Sequence, residues 1–143
     1  AEGTGRLPKL ISGDPQPLSL PGAPETLAAR ALRYLKREAK ADLTAASNHY
    51  ADLLGVKINR ISVKDSRSRW GSCTVDGNLS YSWRLILAEP FVLDYVAAHE
   101  VAHRVEMNHS PAFWAEVEKI YPDWKTASSW LKTHSAGLHA IGG

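Results

Sequence analysis

The sequence predicts an α+β fold in which a small antiparallel or mixed β-sheet packs on one apolar helix, with further helices flanking it. Three observations carry this prediction. A long segment ending at Leu54 has the composition of an amphipathic helix, an Asp-Gly pair at 76–77 separates two strand-like segments, and an apolar run after Pro90 repeats at helical spacing. The 143 residues suffice for one domain with its own core.

The first element is predicted to be a helix from Pro24 to Leu54. Proline suits the first turn of a helix, and the segment is rich in Ala, Leu, Lys, Arg and Glu, which are strong helix formers. The segment is longer than a typical helix, so we expect a break near Asp42–Thr44. Gly55 is the expected stop, since glycine readily ends a helix.

The strands are predicted to follow. A first strand is marked by Ile58, Ile61 and Val63. A hairpin is predicted from strands over Trp70–Val75 and Asn78–Leu87, because Asp-Gly favours a two-residue turn. In the second of these strands large apolar residues alternate with Ser80, Ser82 and Arg84, which predicts one buried and one polar face.

Three helices are predicted to complete the domain. The first begins at Glu89-Pro90 and ends at Asn108 as a left-handed stop, and the second is capped by Ser110-Pro111. The third covers Trp124–Thr133.

Composition and the start of the chain narrow the class of protein. The proline- and glycine-rich residues 1–23 are expected to form an irregular arm, or the remnant of a preceding segment, and 24–143 the domain proper. The net charge of +2 excludes a polycationic tail, and the single cysteine excludes an internal disulfide framework. No signal-peptide layout or membrane-length apolar run is present, so we expect a cytoplasmic protein without a membrane partner.

The chemistry is concentrated in the pattern His-Glu-x-x-His, formed by His99, Glu100 and His103. On a helix, positions i and i+4 lie about 40° apart and about 6 Å along the axis, so both imidazoles can reach one metal ion. Glu100 projects in an adjacent direction and can act on a metal-bound water as a general base. Three ionisable groups in an otherwise apolar helix also need partners, because an unpaired buried charge is costly.

A catalytic zinc site needs a third protein ligand and one open position. His109 is favoured, since it follows the expected Asn108 stop and immediately precedes the Ser110 cap, where the chain can turn back. The alternative is a carboxylate from the next helix, Glu116 or Glu118.

A family resemblance is carried by four runs: SRWGSC at 68–73, SWRLI at 82–86, HEVAH at 99–103 and NHSPAFW at 108–114. Together they resemble the YgjP-like metallopeptidase family, which is similar to the SprT-like and WLM zincins. The resemblance implies a minimal zincin-like fold, a peptide or protein substrate, and zinc held by His99, His103 and His109 with Glu100 as base. Members of the family usually carry an extra β-rich segment, and the proline-rich start of this chain resembles its tail.

Two interpretations are open for the segment Trp70, Gly71 and Ser72. These residues can line the cleft and pair with an extended substrate, or they can be core residues with Gly71 allowing a close approach to the metal-bearing helix. Cys73 is expected to be a small buried hydrophobe rather than a ligand.

A local basic cluster consists of Lys64, Arg67, Arg69 and Arg84. It permits a nucleic-acid contact, but the small net charge favours a solvated sheet face or an arginine that orients a carboxylate. The alternative to a peptidase is therefore a non-catalytic zinc-stabilised binding module, with nucleic acid as its partner class. Glu100 argues against this alternative, since a structural site has no use for a general base.

Groups that support the reaction are left open by the sequence. The chemistry of their side chains makes Tyr81, Tyr95, Tyr121 and His134 candidates for stabilising an oxyanion. Each ligand's free N–H should donate to a carboxylate or a backbone carbonyl, for which Asp94, Glu106 and Asp123 are the nearby residues.

Overall fold

The computed structural model describes residues 26–66 and 68–140 and confirms the α+β class. Its elements in chain order are α1 (Leu27–Leu54), β1 (Arg60–Lys64), β2 (Gly71–Cys73), β3 (Asn78–Ser82), a 3-10 helix (Trp83–Leu87), α2 (Pro90–Ala102), α3 (Pro111–Ile120) and α4 (Trp124–Ala140). The chain divides into two compact units between Arg37 and Glu38, inside α1. The predicted arm at 1–23, and Pro24, lie outside the described residues.

Helix α1 runs for 28 residues without interruption, so the predicted break near Asp42–Thr44 is wrong. Leu43 at that point is fully buried, and Ser47 one turn later donates to or accepts from the Tyr81 hydroxyl at 2.8 Å. These contacts within the second unit keep the segment helical where local sequence alone permits a break. The helix ends as predicted at Gly55, whose φ of 71° lies in the left-handed region.

The sheet is mixed and has the order β1-β3-β2 in the described part of the chain. β1 pairs parallel with β3, with Ile61 opposite Leu79, and β2 pairs antiparallel with β3, with Ser72 opposite Ser80. β2 is therefore an edge strand, and it lies against α2.

The predicted antiparallel hairpin is confirmed, but its two-residue Asp-Gly turn is wrong. The Gly77 N–H donates to the Thr74 carbonyl at 3.0 Å, so Val75 and Asp76 are the central turn residues and Gly77 follows them with a φ of 88°. The first hairpin strand accordingly ends at Cys73 rather than at Val75.

The second hairpin strand is shorter than predicted. It ends at Ser82, whose hydroxyl accepts from the Arg84 N–H at 3.2 Å and caps the 3-10 helix Trp83–Leu87. The predicted polar face is also wrong at this end, because both Ser82 and Arg84 are buried. The Arg84 guanidinium forms an ion pair with Asp65, which gives this buried charge a partner.

The three later helices follow the prediction in order but differ at their ends. α2 begins at Pro90 after the Glu89 cap and ends at Ala102, with His103 as its right-handed C-cap. Asn108 is not a left-handed stop, since no described non-glycine residue has a positive φ. Ser110 caps α3 as predicted by accepting from the Phe113 N–H, whereas α4 runs beyond the predicted Thr133. No helix among the described residues is long and apolar enough to cross a membrane.

Candidate metal centre

Three histidines converge at the end of α2. One ligand nitrogen from each of His99, His103 and His109 lies within 4.8 Å of the others, and no other group of three potential ligands occurs among the described residues. His99 lies on the last turn of α2 and His103 is its C-cap. The chain then turns at 104–109, and the Ser110 cap starts α3 directly after His109. The cap thus returns the chain to the ligands supplied by α2.

The spacing between His99 and His109 fits two ligands of one tetrahedral ion. The Nε2 atoms of His99 and His109 are 3.2 Å apart. Two ligands at about 2.0–2.1 Å from a zinc ion at the tetrahedral angle would be about 3.3 Å apart. Burial and the neighbouring imidazoles lower the pKa of His99 to about 3, and burial also lowers the pKa of His103. Both rings are therefore neutral at neutral pH, which is the form that binds a metal.

Hydrogen bonds orient two of the rings. The His103 Nδ1–H donates to the Glu106 carbonyl at 3.0 Å, which leaves Nε2 for a metal. The His99 Nδ1 lies 3.1 Å from the Tyr95 hydroxyl one turn earlier on α2. The partner of His103 is thus a backbone carbonyl of Glu106, one of the three residues expected, whereas the partner of His99 is a phenol rather than a carboxylate or a carbonyl.

Phe113 and Trp114 support the cluster, a role that the sequence analysis missed. The fully buried Phe113 ring stacks on His103 with centroids 4.4 Å apart, and it makes edge contacts with His99 and His109 at 4.9 and 5.0 Å. Trp114 stacks over His109 with centroids 6.1 Å apart. Their position within one turn of the Ser110 cap was the available signal, because a helix starting there directs its first turn at His109.

Glu100 is 6% exposed and lies beside β2. Burial raises the pKa of its carboxyl to about 8, although the positive charge of Arg69 acts in the opposite direction. A Cβ built on Gly71 would lie 2.9 Å from the Glu100 Cγ and 3.0 Å from Oε2. Gly71 therefore permits the close approach of β2 to α2, as one of the two interpretations of this segment predicted.

The residues considered as alternative metal ligands make contacts elsewhere. Glu116 forms an ion pair with Lys119 at 2.9 Å, and Glu118 accepts from the Trp124 Nε1–H at 3.2 Å. Cys73 is half-buried, its thiol donates to the Thr74 carbonyl at 3.3 Å, and burial raises its pKa to about 11. Neither glutamate nor the thiol belongs to the three-histidine cluster.

The candidates for oxyanion stabilisation are separated by their contacts. The Tyr81 hydroxyl is bonded to Ser47, the Tyr121 hydroxyl donates to the Phe91 carbonyl at 2.8 Å, and His134 stacks on Trp130. Tyr95 alone of the four lines a cavity together with His99 and Glu100, and its hydroxyl is bonded to His99.

That cavity has a volume of about 340 Å³. Its walls are Arg69, Trp70, Gly71, Tyr95, Val96, His99, Glu100, Ser128, Leu131, Lys132 and Ser135. A further cavity of about 250 Å³ shares Arg69, Gly71 and β2 with the first. Two of the three residues predicted to contact substrate, Trp70 and Gly71, line the first cavity, and Ser72 lines the second.

Two comparisons with known proteins show the family and the fold. A family model described as the YgjP-like metallopeptidase domain matches residues 8–134. The solved structure of a metallopeptidase zymogen, abylysin of Pyrococcus abyssi, is similar to this fold with a TM-score of 0.58 and 23% sequence identity. The similarity covers 64% of this chain and 92% of abylysin. No curated protein matches the sequence significantly.

Proposed function

The chain belongs to the YgjP-like metallopeptidase family, and on that premise we propose that it is a zinc-dependent peptidase with Glu100 as its general base. Membership in a metallopeptidase family implies a metal. The observation that carries the proposal is the convergence of the three imidazoles of His99, His103 and His109. The buried carboxyl group of Glu100 lies on the residue next to His99.

Zinc is the metal that suits this donor set best. Three imidazole nitrogens and one free position are the arrangement of a catalytic zinc site, whereas a structural site is closed by four protein ligands. Imidazole also suits copper, iron and nickel, but the spacing of 3.2 Å between His99 and His109 fits a tetrahedral site. His99, His103 and His109 would hold the ion.

The bound metal and Glu100 would have different roles in the hydrolysis. When bound, the metal supplies a Lewis acid that activates water and polarises the scissile carbonyl. Glu100 accepts the proton of the attacking water and returns it to the leaving amine. A pKa of about 8 in the metal-free protein would leave this carboxyl mostly protonated at neutral pH, whereas a neighbouring cation favours its ionised form, which can accept a proton.

The substrate would lie along the edge strand β2. Extended peptides add to exposed sheet edges through main-chain hydrogen bonds, and β2 is an edge strand beside Glu100. Trp70, Gly71 and Ser72 would thus combine both of their expected roles. Gly71 lets Glu100 approach, and the strand that contains it borders both cavities.

The test is a peptidase assay on the wild type and Glu100→Gln at matched zinc occupancy. The substitution keeps size and polarity and removes the base, so zinc binding should be retained while hydrolysis falls by about 10²–10⁴-fold. Equal activity in the two proteins would exclude Glu100 as the base. Stoichiometric zinc without hydrolysis of any peptide would favour the alternative, a zinc-stabilised binding module.

A further inference from the structure

The cavity beside His99 and Glu100 has a largely apolar wall. Trp70, Tyr95, Val96 and Leu131 line it, and the two polar aromatic groups are already bonded within that wall. The Trp70 Nε1–H donates to Ser135 at 3.0 Å, and the Tyr95 hydroxyl is bonded to His99. Val96 and Leu131 add aliphatic surface to the same wall. A volume of about 340 Å³ is at the small end of the range for ligand pockets, about 300–1,000 Å³.

The second cavity, of about 250 Å³, has the opposite character. Besides Gly71 and Tyr81 it is lined by serines and two cationic residues: Ser66, Ser68, Ser72, Ser80, Ser82, Lys64 and Arg69. None of the described residues that line it is acidic. Asp65, next to Lys64, is engaged with the buried Arg84 guanidinium. Lys64 and Arg69 therefore favour an anionic group in this cavity, although Arg69 also offsets part of the charge of Glu100 beside Gly71.

The two cavities adjoin at Arg69 and Gly71, on the strand that would hold the substrate. We infer that together they select the substrate: the first takes a large apolar side chain next to the scissile bond, and the second takes an acidic side chain one or two positions away. This inference rests on the proposed peptidase function. It names peptides that pair an aromatic or long aliphatic residue with an acidic neighbour as the preferred class.

The expected preferences have different sizes. Burying a phenylalanine rather than an alanine side chain should favour a peptide by about ten- to a hundredfold in kcat/KM. Lys64 and Arg69 are exposed, so each charge should contribute only about two- to fivefold. The acidic preference should also shrink between about 50 mM and about 500 mM salt, since exposed charges are screened.

The experiment uses matched peptides that carry Phe or Ala at the apolar position and Asp, Asn or Lys at the neighbouring one. Zinc-loaded wild type is compared with Leu131→Phe, which fills the first cavity, and Leu131→Ala, which enlarges it without overpacking. The Phe-over-Ala ratio should fall by about tenfold or more in Leu131→Phe. Leu131→Ala should instead accept Trp better than the wild type does. Leu138→Phe, on the same helix and outside the cavity, is the matched control.

For the second cavity, Lys64→Gln should reduce the Asp-over-Lys preference by about two- to fivefold, with Lys125→Gln as the control for a lost surface charge. Unchanged ratios in both Leu131 variants, or equal cleavage of all peptides by the wild type, would overturn the inference.

Binding of the same peptides to zinc-loaded Glu100→Gln, measured by calorimetry, separates this inference from the proposed function. Selective binding of the peptides without hydrolysis by the wild type would contradict the proposed peptidase function and support peptide selection by the two cavities. Hydrolysis without selectivity in either assay would support the peptidase and overturn the selection, and the absence of both would overturn both.

Discussion

Gly71 is the residue whose small size has the clearest consequence for the site. Its Cα faces the Glu100 side chain so closely that an added methyl group must displace the carboxylate. Gly71→Ala should therefore reduce kcat/KM by at least about tenfold while zinc content is retained, since a small misplacement of a catalytic group is costly. Gly137→Ala on α4 is the control, because a Cβ there meets nothing within 4 Å. Unchanged activity in Gly71→Ala would show that the carboxylate position is not critical.

His109 is the proposed zinc ligand whose assignment substitutions can test best. It is exposed, and its Nε2 faces that of His99 at 3.2 Å. Loss of a hydrogen bond that supports a ligand weakens metal binding by about 10–100-fold. His109→Ala removes the proposed ligand itself, so it should weaken zinc binding by more than that. Glu116→Ala and Glu118→Ala should change the affinity little, as each carboxylate has another partner. Competition with a zinc chelator measures all three, and a larger loss in either glutamate variant would reassign the third ligand.

At the residue scale, the sequence predicted those features that depend on local spacing. The interval of four between His99 and His103 follows from helix geometry alone, and the turn before the Ser110 cap located His109. For His103 the sequence left open whether a carboxylate or a backbone carbonyl near Asp94, Glu106 or Asp123 is the partner, and for His99 it did not predict the Tyr95 hydroxyl. The Glu106 contact depends on the backbone path of the turn after α2, which the sequence does not reveal. The Tyr95 contact could not be singled out because other tyrosines offer the same chemistry.

At the scale of elements, the 3-10 helix Trp83–Leu87 shows where periodicity misleads. An apolar-polar alternation continues through this segment, although the backbone leaves the sheet at Ser82. Alternation reports burial of every second residue only while the strand lasts. Arg84 is then buried by the fold, and its partner Asp65 lies 19 residues earlier, a distance that no local pattern reveals.

The pair of Arg84 and Asp65 predicts a stability effect. Asp65→Asn keeps an acceptor for Arg84 and for the Trp83 Nε1–H but removes the charge that compensates a buried guanidinium. The free energy of unfolding should fall by about 1–3 kcal/mol, less than for a fully buried pair because Asp65 is 48% exposed. Chemical denaturation measures it, with Asp52→Asn on the exposed face of α1 as control. Equal stability of the two variants would show that the charge is dispensable.

At the scale of the whole molecule, the three-histidine cluster, Glu100 and both cavities lie within the second compact unit, 38–143. The fold class and order of helices could be predicted because capping and periodicity are local signals. The parallel pairing of β1 with β3 could not, since it joins segments separated by a whole strand. The same holds for the two cavities, which are built from β2 and from residues distant in the chain.

The central claim is an open zinc site formed by three imidazoles. Zinc-edge X-ray absorption on protein purified without added chelator or metal tests it most directly. The expected result is about one zinc per chain with three nitrogen ligands and one oxygen ligand at about 2.0–2.1 Å. No bound zinc would contradict the account. A sulfur ligand about 2.3 Å from the zinc, contributed by Cys73, would also contradict it, as would a fourth imidazole in place of the oxygen.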